Sequence, residues 1–172
     1  MSEELEVWQR GPLPDITPML QPVGHALLQA REEVDRYMRD FPASLLWERP
    51  AGLASPGFHL QHLSGVLDRV FTYARGAQLN AFQFEQLHAE GKDIPEGLTV
   101  AALVERFNKQ VDVAMAQLRS IPAEILAEYR GIGRAGLPST VIGLLVHGAE
   151  HTMRHVGQLM VTAKVLQDGQ SK

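Results

Sequence analysis

The sequence contains no cysteine among its 172 residues. This absence excludes a disulfide framework, cysteine-ligated zinc, iron–sulfur clusters and a thiol nucleophile supplied by the chain itself. No uninterrupted apolar run approaches the roughly 20 residues that cross a bilayer, so we expect no membrane-spanning helix. The N-terminal MSEELEVWQR is acidic and has no hydrophobic segment, unlike a signal peptide, and we therefore expect a cytoplasmic protein.

An excess of positive charge is also missing. Sixteen Lys and Arg residues face 20 Asp and Glu residues, which gives a net charge of −4 and a pI near 6.0. This balance offers no electrostatic reason to expect nucleic acid or an anionic membrane as a partner. The apolar fraction of 45% is typical of globular chains, and the length fits one domain. We take that domain as residues 1–172, with a core of about 17–166.

Alternating polarity suited to β-strands is nearly absent, whereas four long segments carry apolar residues at the spacing of amphipathic helices. Helix starts are marked by Ser55 before Pro56, by Asn80 with Gln83 three residues later, and by Thr99. The predicted helices cover Thr17–Asp40, Pro56–Arg75, a short extra helix over Ala81–Ala89, Val100–Leu118, and Ser139 or Thr140 to Leu166. The remaining connections are a predicted loop over Gly91–Gly97 and a predicted irregular segment over Arg130–Leu137.

This pattern predicts an all-α fold, a four-helix bundle. The connection between the second and third long helices carries the short extra helix. It is long enough to cross the bundle, so simple up-down-up-down order is not required.

Histidines are the most informative residues that the sequence does contain, and five of the seven lie in two short stretches. In the last helix, His147, His151 and His155 recur every four residues, so neighbours differ by only about 40° around the helix axis. In the second helix, His62 lies on the predicted apolar face, and His59 lies about 60° away at its edge. One histidine from one helix and two from a facing helix would make a three-ligand metal site that keeps an open position.

Other kinds of site fit the sequence less well. A di-iron carboxylate bundle needs two Glu-x-x-His motifs, and the chain offers Glu85-x-x-His88 in the short extra helix. The zincin motif, a glycine-rich phosphate loop and a nucleophile elbow are absent. His25 and His88 are interpreted as surface residues. Buried histidines without a metal remain an alternative, but each would need partners for both ring nitrogens.

Two segments together resemble the DinB/YfiT-like superfamily. They are Phe58-His-Leu-Gln-His62-Leu in the second helix and His151-Thr-Met-Arg-His155-Val-Gly-Gln158-Leu in the last. The resemblance extends from about Thr17 to Leu166. It implies a four-helix bundle with a long crossover, often homodimeric, in which His62, His151 and His155 bind one divalent ion per chain. Zinc, nickel, iron and manganese are the metals that this resemblance implies.

The resemblance implies two kinds of chemistry on a small-molecule substrate: metal-dependent hydrolysis, or S-transfer with a low-molecular-weight thiol. Arg154 could then bind a substrate carboxylate or simply pair with Glu150. Gln158 could orient a metal-bound water or only hydrogen-bond within the bundle. The alternatives are a non-catalytic bundle, in which His147 or His59 closes a structural or sensory metal shell, and a metal-free histidine cluster that forms a pH-sensitive interface.

Overall fold

The computed structural model describes residues 5–92 and 97–169. Most of these residues are helical, which confirms the predicted all-α class. The elements are α1 (Gln21–Met38), α2 (Pro56–Ala74), α3 (Ala81–Ala89), α4 (Val100–Ser120), β1 (Tyr129–Ile132), β2 (Leu137–Thr140) and α5 (Val141–Gly169). Among the described residues, no helix combines the length and the hydropathy needed to cross a bilayer.

The predicted helix starts at α2, α3 and α4 are confirmed by their caps. Ser55 Oγ accepts a hydrogen bond from the backbone N–H of Phe58, and Thr99 Oγ1 accepts one from Ala102. At α3, Asn80 Oδ1 accepts from the Gln83 N–H while the Gln83 side chain accepts from the Asn80 N–H. Each cap satisfies a backbone donor that has no partner within the helix, and so sets where the helix begins.

The first helix begins later than its pattern predicts. The segment Pro18–Leu20 forms a 3₁₀ turn, and α1 starts at Gln21 rather than near Thr17. Proline explains the difference, because Pro22 has no N–H and cannot donate to the Pro18 carbonyl as an α-helix requires. The Gln21 N–H bonds that carbonyl instead, with the shorter 3₁₀ spacing.

The prediction of an irregular connection over 130–137 is wrong. This segment forms an antiparallel hairpin in which Tyr129 pairs with Thr140 and Ile132 with Leu137. The strands have only four residues each, too few for an alternating pattern to stand out in the sequence. Arg130 Nε donates to the carbonyl of Ala74 at 3.0 Å, which ties the hairpin to the end of α2. Of the predicted loop over 91–97, residues 93–96 lie outside the described part of the chain.

Helices α2 and α5 pack against each other in opposite directions. His59 near the start of α2 contacts His155, and His62, one turn later, contacts His151. Rising residue numbers in α2 thus meet falling numbers in α5. This antiparallel packing brings the first turns of α2 to the middle of α5.

Helices α2 and α4 run in the same direction. Near their C-terminal ends, Gln117 Nε2 of α4 donates to the Phe71 carbonyl of α2 at 3.1 Å. Towards their starts, Arg106 of α4 and Ser64 of α2 line one cleft. Two consecutive long helices can be parallel only if the chain between them returns along the bundle. The predicted long crossover between the second and third long helices is therefore present.

The core is built from apolar side chains of all four long helices. Leu27 of α1, Leu63 and Phe71 of α2, Phe107 of α4 and Leu145 of α5 are each at most 1% exposed. Burying a side chain of this size contributes roughly 1.5–3 kcal/mol. Because α2 contacts α3, α4 and α5, its polar residues are buried along with its apolar ones. A buried polar site on this helix is therefore possible.

Candidate metal centre

The candidate site lies where the first turns of α2 face the middle of α5. His62 comes from α2, and His151 and His155 come from successive turns of α5. One ring nitrogen of each lies within 4.8 Å of a ring nitrogen of the other two. The ring centroids of His62 and His155 are 4.3 Å apart, and those of His151 and His155 are 4.7 Å apart. The structure thus brings together the three histidines that the sequence singled out.

The spacing of two of these nitrogens suits a shared ion. His62 Nε2 and His151 Nε2 are 3.0 Å apart. Two nitrogens that each lie about 2.1 Å from one ion are about 3.0 Å apart at a right angle and about 3.4 Å apart in a tetrahedron. The observed separation is compatible with ligands at neighbouring positions of one coordination shell.

The second nitrogen of His62 is held by a buried carboxylate. His62 Nδ1 lies 2.7 Å from Glu90 Oε2, and Arg69 Nη1 donates to Glu90 Oε1 at 2.6 Å. Burial opposes ionisation of Glu90, but the hydrogen bonds from His62 and Arg69 outweigh it, so the pKa of Glu90 is lowered. An ionised carboxylate only accepts hydrogen bonds, so His62 Nδ1 carries the proton. Its Nε2 lone pair is thereby left facing the cluster, as a metal ligand requires.

His59 plays a similar part for His155. Their Nδ1 atoms are 3.0 Å apart, so one ring donates and the other accepts. Burial, reinforced by the neighbouring His62, lowers the pKa of both rings to about 4, so both are neutral at pH 7. When His155 is the donor, its Nε2 keeps a free lone pair. His59 therefore supports a candidate ligand, and in this arrangement its own Nδ1 is already engaged.

The ring of His151 has a nitrogen that the described residues do not satisfy. Its Nδ1 is buried and has no hydrogen-bond partner among them. Burial, reinforced by His62, also lowers the pKa of His151, which favours the neutral ring. A neutral imidazole is the form that binds metals, and an unsatisfied buried ring nitrogen is costly without an additional partner. The three neutral or tautomer-fixed imidazoles fit a bound divalent ion, which would take His151 Nε2, whereas His151 Nδ1 would still need a partner of its own.

The glycine at position 65 of α2 leaves the space that the Glu90 carboxylate occupies. A side chain at Gly65 would collide with the Glu90 carboxylate and the Arg69 guanidinium. The Phe58 ring lies nearly parallel to that of His62, with centroids 5.4 Å apart and an interplanar angle of 12°. Gly91, which follows Glu90, donates its N–H to the buried Gln61 side chain at 2.8 Å. These contacts fix both the carboxylate and the imidazole that it orients.

A protein-family model described as the DinB superfamily matches residues 26–159, which include His62, His151 and His155. The chain belongs to the DinB superfamily. The comparison with curated proteins found no match.

In this DinB-superfamily chain, the other predicted candidates on α5 lie at the surface. His147 Nδ1 is 2.9 Å from Glu150 Oε1, and Arg154 Nη2 donates to Glu150 Oε2 at 2.7 Å. Arg154 thus makes the ion pair with Glu150 that the sequence left open. His147 could hold a metal together with Glu150 and His151, although His147 and Glu150 are exposed. Gln158 is exposed and its side chain hydrogen-bonds no described residue, so its role towards a bound water stays a prediction.

Sequence reasoning missed Glu90 and Arg69. Glu90 follows the last residue of α3, and its partners in α2 lie 21 and 28 residues away. No local pattern in the sequence predicts the contacts of Glu90 with His62 and Arg69. The available signal was indirect: Arg69 lies on a helix with apolar residues on most sides, and a buried arginine needs a counter-charge.

Proposed function

We propose that His62, His151 and His155 bind one divalent metal ion and that this DinB-superfamily chain is a metal-dependent enzyme. The observation that carries the proposal is the convergence of three imidazoles, one of which has its second nitrogen held by a buried, ionised Glu90. A carboxylate behind a ligating histidine fixes its tautomer and increases its basicity.

The surroundings of the three ligands favour an open coordination shell over a closed, structural one. A structural site recruits a fourth protein ligand. His59 Nδ1 pairs with His155, His147 pairs with Glu150 at the surface, and both oxygens of Glu90 are engaged. With three protein ligands, positions remain for water or substrate, which is the pattern of catalytic sites.

A divalent ion bound there would supply a nucleophile at neutral pH, by lowering the pKa of a bound water or of a small thiol. The chain's own residues would hold and orient the ion. His62 would contribute Nε2 while its protonated Nδ1 donates to the Glu90 carboxylate, and His155 would contribute Nε2 while its Nδ1 donates to His59. Hydrolysis and thiol transfer would both use the bound ion and the histidines that hold it. Any thiol must come from outside because the chain has no cysteine.

Metal content tests the site directly. Tag-free protein should contain about one divalent ion per chain by inductively coupled plasma mass spectrometry. His62→Ala, His151→Ala and His155→Ala should each lose it, whereas the matched control His25→Ala should retain it. His25 lies on α1, where its Nε2 meets the Gly11 carbonyl at 3.1 Å. Full occupancy in all three alanine variants would contradict the proposed ligand set.

Activity assays on metal-loaded protein separate the two reactions. Transfer should require an added low-molecular-weight thiol, whereas hydrolysis should proceed without one. Either activity should disappear with a chelator and return when metal is added. A metal-loaded protein that is inactive in broad screens of both reactions would instead favour a structural or sensory site.

A homodimer is a further part of the proposal, and its only support is the resemblance to the DinB superfamily. Sedimentation velocity on the full chain should give a mass of about twice 19.0 kDa. A monomer at all concentrations tested would contradict it.

A further inference from the structure

A cavity of about 750 Å³ lies between α2, α3 and α4, apart from the histidine cluster, and no histidine is among its described lining residues. Its volume is in the range of small-molecule sites. The Arg69–Glu90 pair connects it to the candidate metal centre, because Arg69 lines the cavity and Glu90 contacts His62. The proposed metal function does not account for this cavity.

The floor of the cavity is polar yet buried. Ser64, Arg69 and Thr72 of α2, together with Gln83 of α3, are each less than 8% exposed and line it. Gln83 Nε2 donates to Thr72 Oγ1 at 2.9 Å and to Asp68 Oδ2 at 2.8 Å, so the floor is held in place by hydrogen bonds. Buried polar side chains are costly unless they are satisfied, and four in one cavity wall form an ordered, preorganised surface.

The charges of the cavity favour an anion. Arg69, Arg75 and Arg106 line it, and Asp68 is the single acidic side chain among the described lining residues. Arg69 is neutralised by Glu90, but the other two arginines pair with no carboxylate of the described chain. Arg75 donates to Gln117 and Thr72, and the exposed Arg106 guanidinium makes no hydrogen bond or ion pair with described residues. Guanidinium groups bind carboxylates and phosphates through paired, charge-assisted hydrogen bonds.

We propose that this cavity binds a small organic anion, through a carboxylate or phosphate group held by Arg75 and Arg106. Phe82 lines the cavity with a side chain that is 64% exposed, and it offers an apolar surface for the rest of the ligand. The site is separate from the metal centre and does not depend on the proposed metal chemistry.

Isothermal titration calorimetry on the full chain tests the proposal, with phenyl phosphate and benzoate as probes of the two anion types and benzamide as the uncharged control. At least one anion should bind saturably with one site per chain, and benzamide should not. Arg106→Gln should weaken binding about tenfold or more, as expected when a charge-assisted hydrogen bond is lost. Arg106→Lys, which keeps the charge, should lose less.

Arg119→Gln is the matched control, because Arg119 is an exposed arginine of the same helix that does not line the cavity. It should leave the affinity unchanged, and Arg75→Gln should repeat the loss seen in Arg106→Gln. Saturable binding should also persist in His62→Ala, which separates the cavity from the metal centre. The proposal is overturned if neither anion binds, if Arg119→Gln weakens binding as much as Arg106→Gln, or if His62→Ala abolishes binding.

Discussion

Replacing Glu90 with glutamine should damage the metal centre without touching a ligand. Glutamine has nearly the same shape, but its amide can donate a hydrogen bond to His62 Nδ1. His62 would then accept at Nδ1 and carry its proton on Nε2, the nitrogen that faces His151 at 3.0 Å. Losing such an orienting partner typically lowers metal affinity about 10- to 100-fold. We expect a loss of that size for zinc.

The same substitution should destabilise the metal-free protein. The side chains of Arg69 and Glu90 are only 9% and 8% exposed, so Glu90→Gln leaves a buried guanidinium without a counter-charge. Removing one partner of a buried ion pair costs roughly 3–5 kcal/mol. Because Arg69 borders the cavity beside α3, water can reach it, and we expect a loss of about 3 kcal/mol, at the lower end of that range.

Two assays separate these effects. Urea unfolding of metal-free protein gives the free energy of unfolding, and competition with a chromophoric chelator gives the zinc affinity. In the double variant Arg69→Met/Glu90→Leu both charges are gone, so most of the stability should return while zinc affinity stays low. Glu85→Gln, an exposed carboxylate of α3, should change neither quantity. Wild-type zinc affinity in Glu90→Gln would refute the role assigned to this carboxylate.

Three further predictions follow from burial. Gly65→Ala should lower both stability and zinc affinity in the assays above, because its methyl group would displace the Glu90 carboxylate; unchanged values would contradict this. Between about pH 6.5 and pH 4, His59 and His155 are protonated in the unfolded chain but neutral in the folded protein. The melting temperature of metal-free protein should therefore decrease as the pH is lowered through this window, and these two residues should contribute no change above it. Phe107→Ala should cost about 3–5 kcal/mol in urea unfolding, and a loss below 1 kcal/mol would refute its place in the core.

The helices could be predicted because their signals are local. Apolar spacing and caps such as Ser55 and Thr99 depend only on residues within a turn or two of each other. The hairpin was missed because its strands have four residues each and its turn contains Gly133 and Gly136, both with positive φ, which the sequence shows only as a glycine-rich stretch. Local signals thus predict elements well where those elements are long.

The histidines of the site were also visible in the sequence, since His151 and His155 share one face of a helix. The hydrogen-bond partners of these histidines were harder to identify from the sequence. Glu90 becomes a partner of His62 only through the path of the chain between α2 and α4, and neither residue's neighbours specify that path. The three candidate ligands could therefore be named from helical geometry together with the family resemblance, whereas the carboxylate that orients His62 required the tertiary structure.

The path of the chain between α2 and α4 explains why a carboxylate reaches the candidate metal centre. Because α2 and α4 are parallel, the chain that leaves the end of α2 must return towards its start. The helix α3 makes this return: Gln83 in its first turn contacts Thr72, and Glu90 at its end contacts Arg69 and then His62. Gly91 continues to Gln61, another residue of the first turns of α2. The crossover that allows α2 and α4 to be parallel thus also places Glu90 beside His62. The topology of the bundle therefore determines which nitrogen of His62 carries the proton.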